Sequence, residues 1–579
     1  MSLQFITGNS GNGKTKYLFN RIVKEAKANP RDNYLVIVPE QFTMQTQRQL
    51  VDLSENKAIM NIDVLSFKRL AYRVFDELGI TNLTVLEETG KNLVLRKLAA
   101  QEADKLGVIG RNLNRIGYIS EVKSLLSELV QYNISPEELG RYIASGRLSD
   151  TLSDKLKDVL VLYEAFEKFM QDKYITAEEI LNVLSNVAEE SAILRNSVIA
   201  FDEFTGFTPI QNQLIKKLFV ISKKIYVTLT IDCREDIFKS RGMQELFDMP
   251  KRTVKSLTEM AAFYGIEVEE PIILDKNYRL AENEELSFME QQLFRKRRCS
   301  FEKVPKHIHI DCLRDPKQEL TKIARRINEL VRNENLRYRD IAIVTGDVNI
   351  YAGYVREIFD KYNIPYFIDA TQEILFHPFI EFIRSIPDIA AQNFSADAVF
   401  RFLRCGFSEL LDSEIDVLEN YVLACGVRGK SAWDKKWVRL PKHKAGYDIE
   451  LLNQSREYIM ELLKPVYQVF SDKKSTVKDY VLAIYKLIVL LDIPDKLAKK
   501  EQALLDAGDQ TASKEYGQIY KIVMQLFEKY VAVLGDECMD AEEFTQILDA
   551  GLDAADVAVI PPGYDTVTIG DIERTRLTN

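Results

Sequence analysis

Two kinds of hydrophobic periodicity at the start of the chain predict a strand, a loop, a helix and a second strand. Residues 3–7 form an apolar run with the length of a short buried strand. Residues 16–28 carry apolar side chains at three- and four-residue steps, which is the spacing of one helix face. A turn at residues 29–32 leads into a second apolar run at 34–38. Such a β-α-β unit predicts a parallel sheet.

At two places further along the chain, the hydrophobic pattern changes from alternating strands and helices to helices almost alone. Helical spacing dominates from about residue 66 to 194 and again from about residue 378 to 555, with segments such as 90–105, 119–131 and 152–172. Apolar runs predict further strands at residues 197–201, 224–231, 307–312, 341–344, 365–368 and 566–569. Between the later strands, helices are predicted at residues 318–332 and 351–362.

This alternation predicts an α/β protein made of two α/β modules, each interrupted by a mainly helical insertion. The first module is predicted at residues 1–75 and 191–300, with its insertion at 76–190. The second is predicted at residues 301–377 and 556–579, with its insertion at 378–555. The second module is expected to be incomplete, because a further buried strand should follow residues 566–569.

Composition restricts the class of protein. The chain has 579 residues, of which 46% are hydrophobic and 28% charged, as in an ordinary folded protein of several domains. Its most apolar run, residues 480–491, is interrupted by Lys486 and is too short to span a bilayer. The first residues lack a basic leader, so we expect a cytoplasmic protein without a membrane segment. Six cysteines, none at CxxC spacing, are expected to be free thiols of a reducing compartment.

Net charge limits how the chain can meet nucleic acid. The formal charge of −10 would repel DNA, so contact with DNA must come from local basic patches or from a partner. Residues 295–298 form such a basic run, which either touches phosphates or is simply solvated. Trp433 and Trp437 either stack on bases or anchor a helix contact. His307 and His309 share one strand face, but no third ligand completes a metal site.

The loop after the first predicted strand carries the clearest chemistry. It matches G-x-x-x-x-G-K-[ST] and consists of Gly8, Asn9, Ser10, Gly11, Asn12, Gly13, Lys14 and Thr15. Glycines let the backbone N–H groups of such a loop point at phosphate oxygens, and the helix that follows adds its positive end. Lys14 is expected to reach the β- and γ-phosphates of ATP, and the Thr15 hydroxyl to bind Mg²⁺. The alternative is a glycine-rich turn that fits the pattern by chance.

A second candidate element is an apolar strand, residues 198–201, that ends in two carboxylates. Asp202 is expected to hold Mg²⁺ through water, and Glu203 to orient the attacking water if hydrolysis occurs. The alternative is an ordinary acidic turn at the end of a strand.

Together, the loop and the acidic strand resemble superfamily 1 DNA helicases of the UvrD/RecB kind. Other segments extend this resemblance to the AddB family of helicase–nuclease subunits, in order along the chain. They are V-I-V-P-E-Q at 36–41 with Thr43 and Gln47, V-L-S-F-K-R-L-A at 64–71, D-E-F-T-G-F-T-P at 202–209, L-D-K-N-Y-R at 274–279, residues 340–344 with 364–366, I-P-P at 560–562, and G-D-I-E-R-T-R at 570–576.

The resemblance implies two RecA-like modules that bind ATP and Mg²⁺, with Arg279 as a further γ-phosphate contact. It implies the helicase-like half of an AddB-type subunit of an ATP-dependent helicase/deoxyribonuclease, acting in double-strand break repair by homologous recombination. Its partner would be an AddA-like subunit, and its substrates double-stranded DNA ends and single-stranded DNA, with a role in recognising Chi-type signals. The resemblance also implies that the family's nuclease and its cysteine-bound iron–sulphur cluster would belong to a C-terminal half outside these 579 residues.

Two departures from active helicases indicate a degenerate motor. The adenine-reading glutamine upstream of the loop has no position in this chain, and residues 228–234 lack the glutamine of the Gly-Asp-x-x-Gln segment. A further arginine motif should lie beyond Asn579, so we expect that the chain alone neither unwinds nor cuts DNA. Two other hypotheses stay open: a stand-alone regulatory P-loop NTPase without a DNA role, and a structural subunit whose loop is a relic.

Overall fold

The structure is a computed structural model that gives two compact units. It describes residues 1–80, 85–86, 88–108, 118–145, 148–170, 174–295, 299–368, 372–373, 376–440, 447–553, 556–557, 565–572 and 575. Residues 1–86 and 124–311 form the first unit, and residues 87–123 and 312–578 form the second. The division of the chain into four parts stays a prediction.

Strands and helices alternate along the chain, which confirms the α/β fold class. The strands are β1 (Ser2–Gly8), β2 (Tyr34–Ile37), β3 (Ile62–Leu65), β4 (Val85–Leu86), β5 (Ile175–Thr176), β6 (Val198–Phe201), β7 (Lys224–Thr230), β8 (Glu267–Val268), β9 (Ile272–Leu274), β10 (Ala342–Thr345), β11 (Tyr366–Ile368), β12 (Gln372–Glu373), β13 (Asp556–Val557) and β14 (Val567–Asp571).

Helices make up most of the remaining described chain. They are α1 (Lys14–Ala28), α2 (Thr43–Leu53), α3 (Phe67–Leu78), α4 (Glu88–Gln101), α5 (Tyr118–Gln131), α6 (Pro136–Ala144), α7 (Asp150–Met170), α8 (Ile180–Val187), α9 (Pro209–Ile221), α10 (Asp248–Phe263), α11 (Glu284–Gln292), α12 (Pro316–Asn333), α13 (Val348–Lys361), α14 (Pro378–Ala391), α15 (Ala396–Leu403), α16 (Asp412–Cys425), α17 (Lys430–Asp434), α18 (Ile449–Ser471), α19 (Val477–Leu490), α20 (Ile493–Asp506), α21 (Gln510–Leu534) and α22 (Ala541–Asp553).

The first unit is built on a parallel sheet, as its β-α-β pattern predicts. Within the described residues its strands run in the order β3-β2-β6-β7-β1-β8, and β9 also pairs with β1. All of these pairs are parallel, so the carboxyl ends of β1, β6, β7 and β9 meet at one edge of the sheet. That edge carries the loops in which the sequence places its candidate chemistry.

Side-chain alternation along β1 builds a core on each face of this sheet. Leu3 and Phe5 pack with α3, α8, α9 and α10, whereas Ile6 packs with α1 and α2 on the other face. Successive side chains of a strand point to opposite faces, so both faces of β1 must be apolar when helices cover both. Because β1 is buried on both faces, the loop that follows it starts from a fixed position between the two helical layers.

The second unit combines a small parallel sheet with a large helical core. Strands β10, β14 and β11 pair in that order and pack against α12 and α13. Helices α14–α16, α18, α19, α21 and α22 share one apolar core, to which α4 contributes Leu93. Trp433 and Trp437 lie buried in this core, and their ring centroids are 5.2 Å apart. This agrees with the interpretation that they anchor helices.

One strand prediction is wrong. Residues 307–312 form no strand, and Ile310 is almost fully exposed. The backbone N–H groups of Lys306 and His307 donate to the Glu285 carboxylate, at 2.7 and 2.8 Å, instead of to a neighbouring strand. An apolar run becomes a strand only where a ladder partner is available.

Several predictions concern residues that lie outside the described part of the chain. They include residues 296–298 of the basic run, residues 560–562, and Glu573, Arg574 and Arg576 of the last family segment. Within the described residues, no helix is long and apolar enough to cross a membrane. The six cysteines are free thiols.

Candidate functional site

The loop at residues 8–15 connects β1, which lies between β7 and the short strands β8 and β9, to α1. Two of its glycines have left-handed backbone angles. Gly11 has a φ of 85° and Gly13 a φ of 77°. A Cβ atom at Gly11 would also lie 2.8 Å from Arg279 Cβ and from Asn277 Oδ1. Gly11 is therefore required for its conformation and for its space.

Hydrogen bonds tie four successive carbonyl oxygens of the loop to donors. Lys14 Nζ donates to the oxygens of Gly8 and Asn9, at 3.0 and 2.9 Å. Asn277 Nδ2 donates to the oxygen of Ser10 at 3.0 Å. The carbonyl oxygen of Gly11 accepts from the backbone N–H groups of residues 278 and 279, at 3.0 and 3.3 Å.

This pattern of bonds organises the loop for an anion. Each planar peptide holds its N–H opposite to its C=O, so fixing the carbonyls also fixes the direction of the N–H groups. Successive N–H groups that face away from fixed carbonyls form a concave surface that binds anions. The first turn of α1 adds the positive end of a helix dipole at the same place.

Asp202 stands at the carboxyl end of β6 and is fully buried. The Thr228 hydroxyl on the neighbouring strand β7 donates to its Oδ1, while its Oδ2 has no hydrogen-bond partner among the described residues. Burial, and then the charge of Glu203, raise the pKa of Asp202 to about 6, against the opposing effects of Thr228, Thr15 and Lys14. A buried carboxylate with one oxygen that has no hydrogen-bond partner among the described residues is suited to bind a cation that keeps part of its water shell.

Glu203 follows in a strained backbone conformation. Its φ of 66° is in the left-handed region, which is unfavourable for a side chain of this size. The Thr15 hydroxyl donates to its Oε1 at 3.4 Å, so the carboxylate lies at the start of α1. Packed rings of Phe67, Phe201, Phe204 and Phe207 hold the turn in this position.

Segment 274–279, the L-D-K-N-Y-R stretch, lies directly on the loop. Asn12 Nδ2 donates to the oxygen of Leu274 at 2.6 Å, and a Cβ atom at Gly13 would lie 3.5 Å from the Tyr278 ring. Arg279 is exposed beside Gly11. The structure therefore brings together the loop, Asp202, Glu203 and Arg279, all of which the sequence singled out.

The sequence did not predict a cluster of charges at the end of β7. Asp232 is buried, and it pairs with Arg234 at 2.6 Å and with Arg295 at 2.9 Å. Burial alone would raise the pKa of Asp232, but the hydrogen bonds and charge of Arg234, with the charge of Arg295, lower it to about 2. Arg295 of the basic run is thus held in an ion pair rather than solvated. Asp232, the partner of Arg295, follows β7 at the carboxyl edge of the sheet. This position was the feature of the sequence that could have predicted the charge cluster.

Comparison with known proteins gives a consistent result. A family model described as "ADDB, N-terminal" matches residues 5–290. The chain is 38% identical over 587 residues to the B-type subunit of the ATP-dependent helicase/deoxyribonuclease of Lachnoclostridium phytofermentans. It is 31% identical to the corresponding protein of Clostridium novyi, and 32% identical to that of Caldanaerobacter subterraneus subsp. tengcongensis. These alignments cover 100% of this chain and 50–51% of each relative, so the chain spans about half the length of these curated relatives.

Proposed function

Since the chain belongs to the AddB family, we propose that it is the helicase-like half of an AddB-type subunit of an ATP-dependent helicase/deoxyribonuclease and that it binds ATP with Mg²⁺ at residues 8–15. The observation that carries this proposal is the buried Asp202, whose Oδ2 lacks a partner among the described residues, beside a loop whose carbonyls are already fixed. A relic loop would not explain why this buried carboxylate oxygen beside it lacks a partner among the described residues.

The residues present fit ATP and Mg²⁺. Lys14 would neutralise the β- and γ-phosphates, and the backbone N–H groups of the loop would hold their oxygens. Thr15 would bind the metal directly and Asp202 through water. Mg²⁺, when bound, neutralises developing phosphate charge. Glu203 would orient a water molecule if the nucleotide is hydrolysed, and Arg279 would add a further contact to the γ-phosphate.

The larger role that we propose is DNA break processing with an AddA-like partner. The chain carries a net charge of −10, so it needs a positively charged partner or local patch to hold DNA ends and single strands. At the end of β7, where active motors carry a glutamine, Asp232 forms ion pairs with Arg234 and Arg295. This arrangement supports a degenerate motor that binds nucleotide and contributes to recognition of Chi-type signals, while the partner drives movement.

Calorimetry with Mg²⁺–ATP tests the binding proposal. Lys14→Ala removes the charge aimed at the phosphates and should weaken binding by about 100-fold or more. The matched control is Lys16→Ala, because Lys16 is exposed on the first turn of the same helix. We expect its affinity to equal that of the wild type. Equal affinity of the wild type and Lys14→Ala, or no binding by the wild type, would contradict the proposal.

A further inference from the structure

Asn9, at the second position of the phosphate loop, is buried and connects three elements. Its Oδ1 accepts from the backbone N–H of Cys233 after β7, and its Nδ2 donates to Glu290 Oε1 on α11, both at 2.9 Å. Its own carbonyl oxygen accepts from Lys14 Nζ at 2.9 Å. Every polar atom of its side chain is therefore engaged outside the loop.

The two elements that Asn9 contacts are themselves joined by an ion pair. Cys233 follows Asp232, which pairs with Arg295 at 2.9 Å, and Arg295 lies 4.0 Å from Glu290. The contacts thus close a ring that runs from Asn9 through Glu290, Arg295 and Asp232 to Cys233 and back to Asn9. The Arg295 guanidinium also lies 5.0 Å above the ring of Phe247, which fixes its position.

We propose that Asn9 is a positioning residue, which through Glu290 and Cys233 holds the phosphate loop in its anion-binding form before nucleotide arrives. This inference rests on the nucleotide binding proposed above. A loop with three glycines loses much conformational freedom when it is ordered, and that loss weakens binding unless the loop is ordered beforehand. Asn9 lies between Gly8 and Gly11 and is the side chain that anchors this part of the loop to both α11 and the end of β7.

The negative charge of Glu290 affects both the phosphate site and the hydrogen bond from Asn9. A carboxylate beside a phosphate site would repel the ligand, but Arg295 lies 4.0 Å from the same Glu290 oxygen that accepts from Asn9 and offsets its charge. A hydrogen bond to a charged acceptor is also stronger than one between neutral groups. By linkage, bound nucleotide and the closed ring should stabilise each other by the same factor.

Mg²⁺–ATP affinity, measured by calorimetry on the full chain, is the first test. Asn9→Ala and Glu290→Ala should each weaken binding by about tenfold or more, as expected for one hydrogen bond to a charged group. Glu290→Gln should bind with an affinity between those of the wild type and Glu290→Ala, because its amide oxygen can still accept from Asn9 but carries no charge. The double variant Asn9→Ala/Glu290→Ala should bind within about twofold of Asn9→Ala, since both changes remove one shared contact.

A matched control separates positioning from general loss of stability. Asn61 donates its side-chain amide to three carbonyl oxygens, of Ala26, Asn29 and Asp32, next to the amino end of β3 and away from the loop. Asn61→Ala should lower thermal stability but leave ATP affinity unchanged. An equal loss of affinity in Asn61→Ala and Asn9→Ala would overturn the inference.

Hydrogen exchange in the absence of nucleotide tests the same idea independently of binding. The amides of residues 10–13 should exchange at least several-fold faster in Asn9→Ala and in Glu290→Ala than in the wild type or Asn61→Ala, with Glu290→Gln in between. Unchanged exchange in Asn9→Ala would overturn the inference even if ATP binds. If the wild type binds no ATP, the proposed function fails, whereas faster exchange in Asn9→Ala would still support the positioning role.

Discussion

The buried carboxylate of Asp202 should make the protein less stable in the absence of ligand, and replacing it with Asn should reveal by how much. Burial and Glu203 raise its pKa from 3.8 to about 6. Because the pKa of Asp202 is higher in the folded than in the unfolded state, protonation of Asp202 favours the folded state. This contribution to the free energy of unfolding is complete below about pH 4 and is lost as the pH rises through 6. The rise corresponds to about 3 kcal/mol of stability that the ionised form lacks at neutral pH.

Asp202→Asn removes the free-energy cost of the buried ionised carboxylate. It introduces the smaller cost of a buried amide without a partner. The amide oxygen can still accept from Thr228, whereas the new Nδ2 takes the place of the oxygen that has no partner among the described residues. An unpaired buried amide costs about 1–3 kcal/mol, and this cost does not depend on pH. We therefore expect a net gain of about 0–2 kcal/mol at pH 8, and a loss of about 1–3 kcal/mol at pH 4.

Thermal unfolding of the chain, measured from pH 4 to pH 8 without nucleotide, gives the pH-dependent part directly. The difference in stability between Asp202→Asn and the wild type should grow by about 3 kcal/mol over this range, or roughly 6–12 °C for a unit of this size. Asp236→Asn is the control. Its hydrogen bond from Lys239 lowers the pKa of Asp236, so any change with pH should have the opposite sign. The same difference for Asp202→Asn at pH 4 and pH 8 would refute the reasoning.

Other parts of the molecule give three more predictions. Gly11→Ala should weaken Mg²⁺–ATP binding by at least about tenfold in calorimetry, because the new methyl group meets segment 277–279 and the φ of 85° is strained; wild-type affinity would contradict this. Burial lowers the pKa of His377 to about 4, so the second unit should lose about 2–3 kcal/mol as the pH falls from 6.5 to 4 in denaturation experiments. His377→Asn, which retains an acceptor for the N–H of Phe379, should abolish that loss, and a loss as large as in the wild type would exclude His377 as its source. The purified chain should bind DNA weakly, with an affinity that falls steeply with salt, and should show no ATP-dependent strand displacement; unwinding that Lys14→Ala abolishes would contradict a degenerate motor.

The sequence predicts the main strands of the first unit well because they are continuous apolar runs bounded by turns. β1, β2, β6 and β7 lie within two residues of their predicted bounds. The short strands β8 and β9 have two and three residues and carry no periodicity that could identify them. Residues 307–312 fail for the opposite reason: an apolar run is present but pairs with no strand, and the N–H groups of Lys306 and His307 at its start bind Glu285 instead.

The members of the candidate site were predictable, but their environment was not. Lys14 and Thr15 follow from a motif whose spacing is fixed by phosphate chemistry. Asp202 and Glu203 follow from an apolar strand that ends in two carboxylates. The contact between Asp202 and Thr228 depends on β6 lying beside β7, which is a property of the sheet and not of either segment.

Long-range contacts explain the rest of what the sequence left unpredicted. Asn9 and Glu290 are separated by 281 positions, and a variable position of the motif gave no reason to single out the asparagine. The left-handed backbone of Glu203 is likewise imposed by packing of the surrounding phenylalanines.

The central claim is that residues 8–15 and Asp202 hold ATP with Mg²⁺. It is tested most directly by a crystal structure of the chain with Mg²⁺ and a non-hydrolysable ATP analogue. We predict that the β- and γ-phosphates lie within the loop beside Lys14, with Mg²⁺ on the Thr15 hydroxyl and linked through water to Asp202 Oδ2. An empty loop at saturating analogue, or a nucleotide bound elsewhere on the chain, would contradict the account.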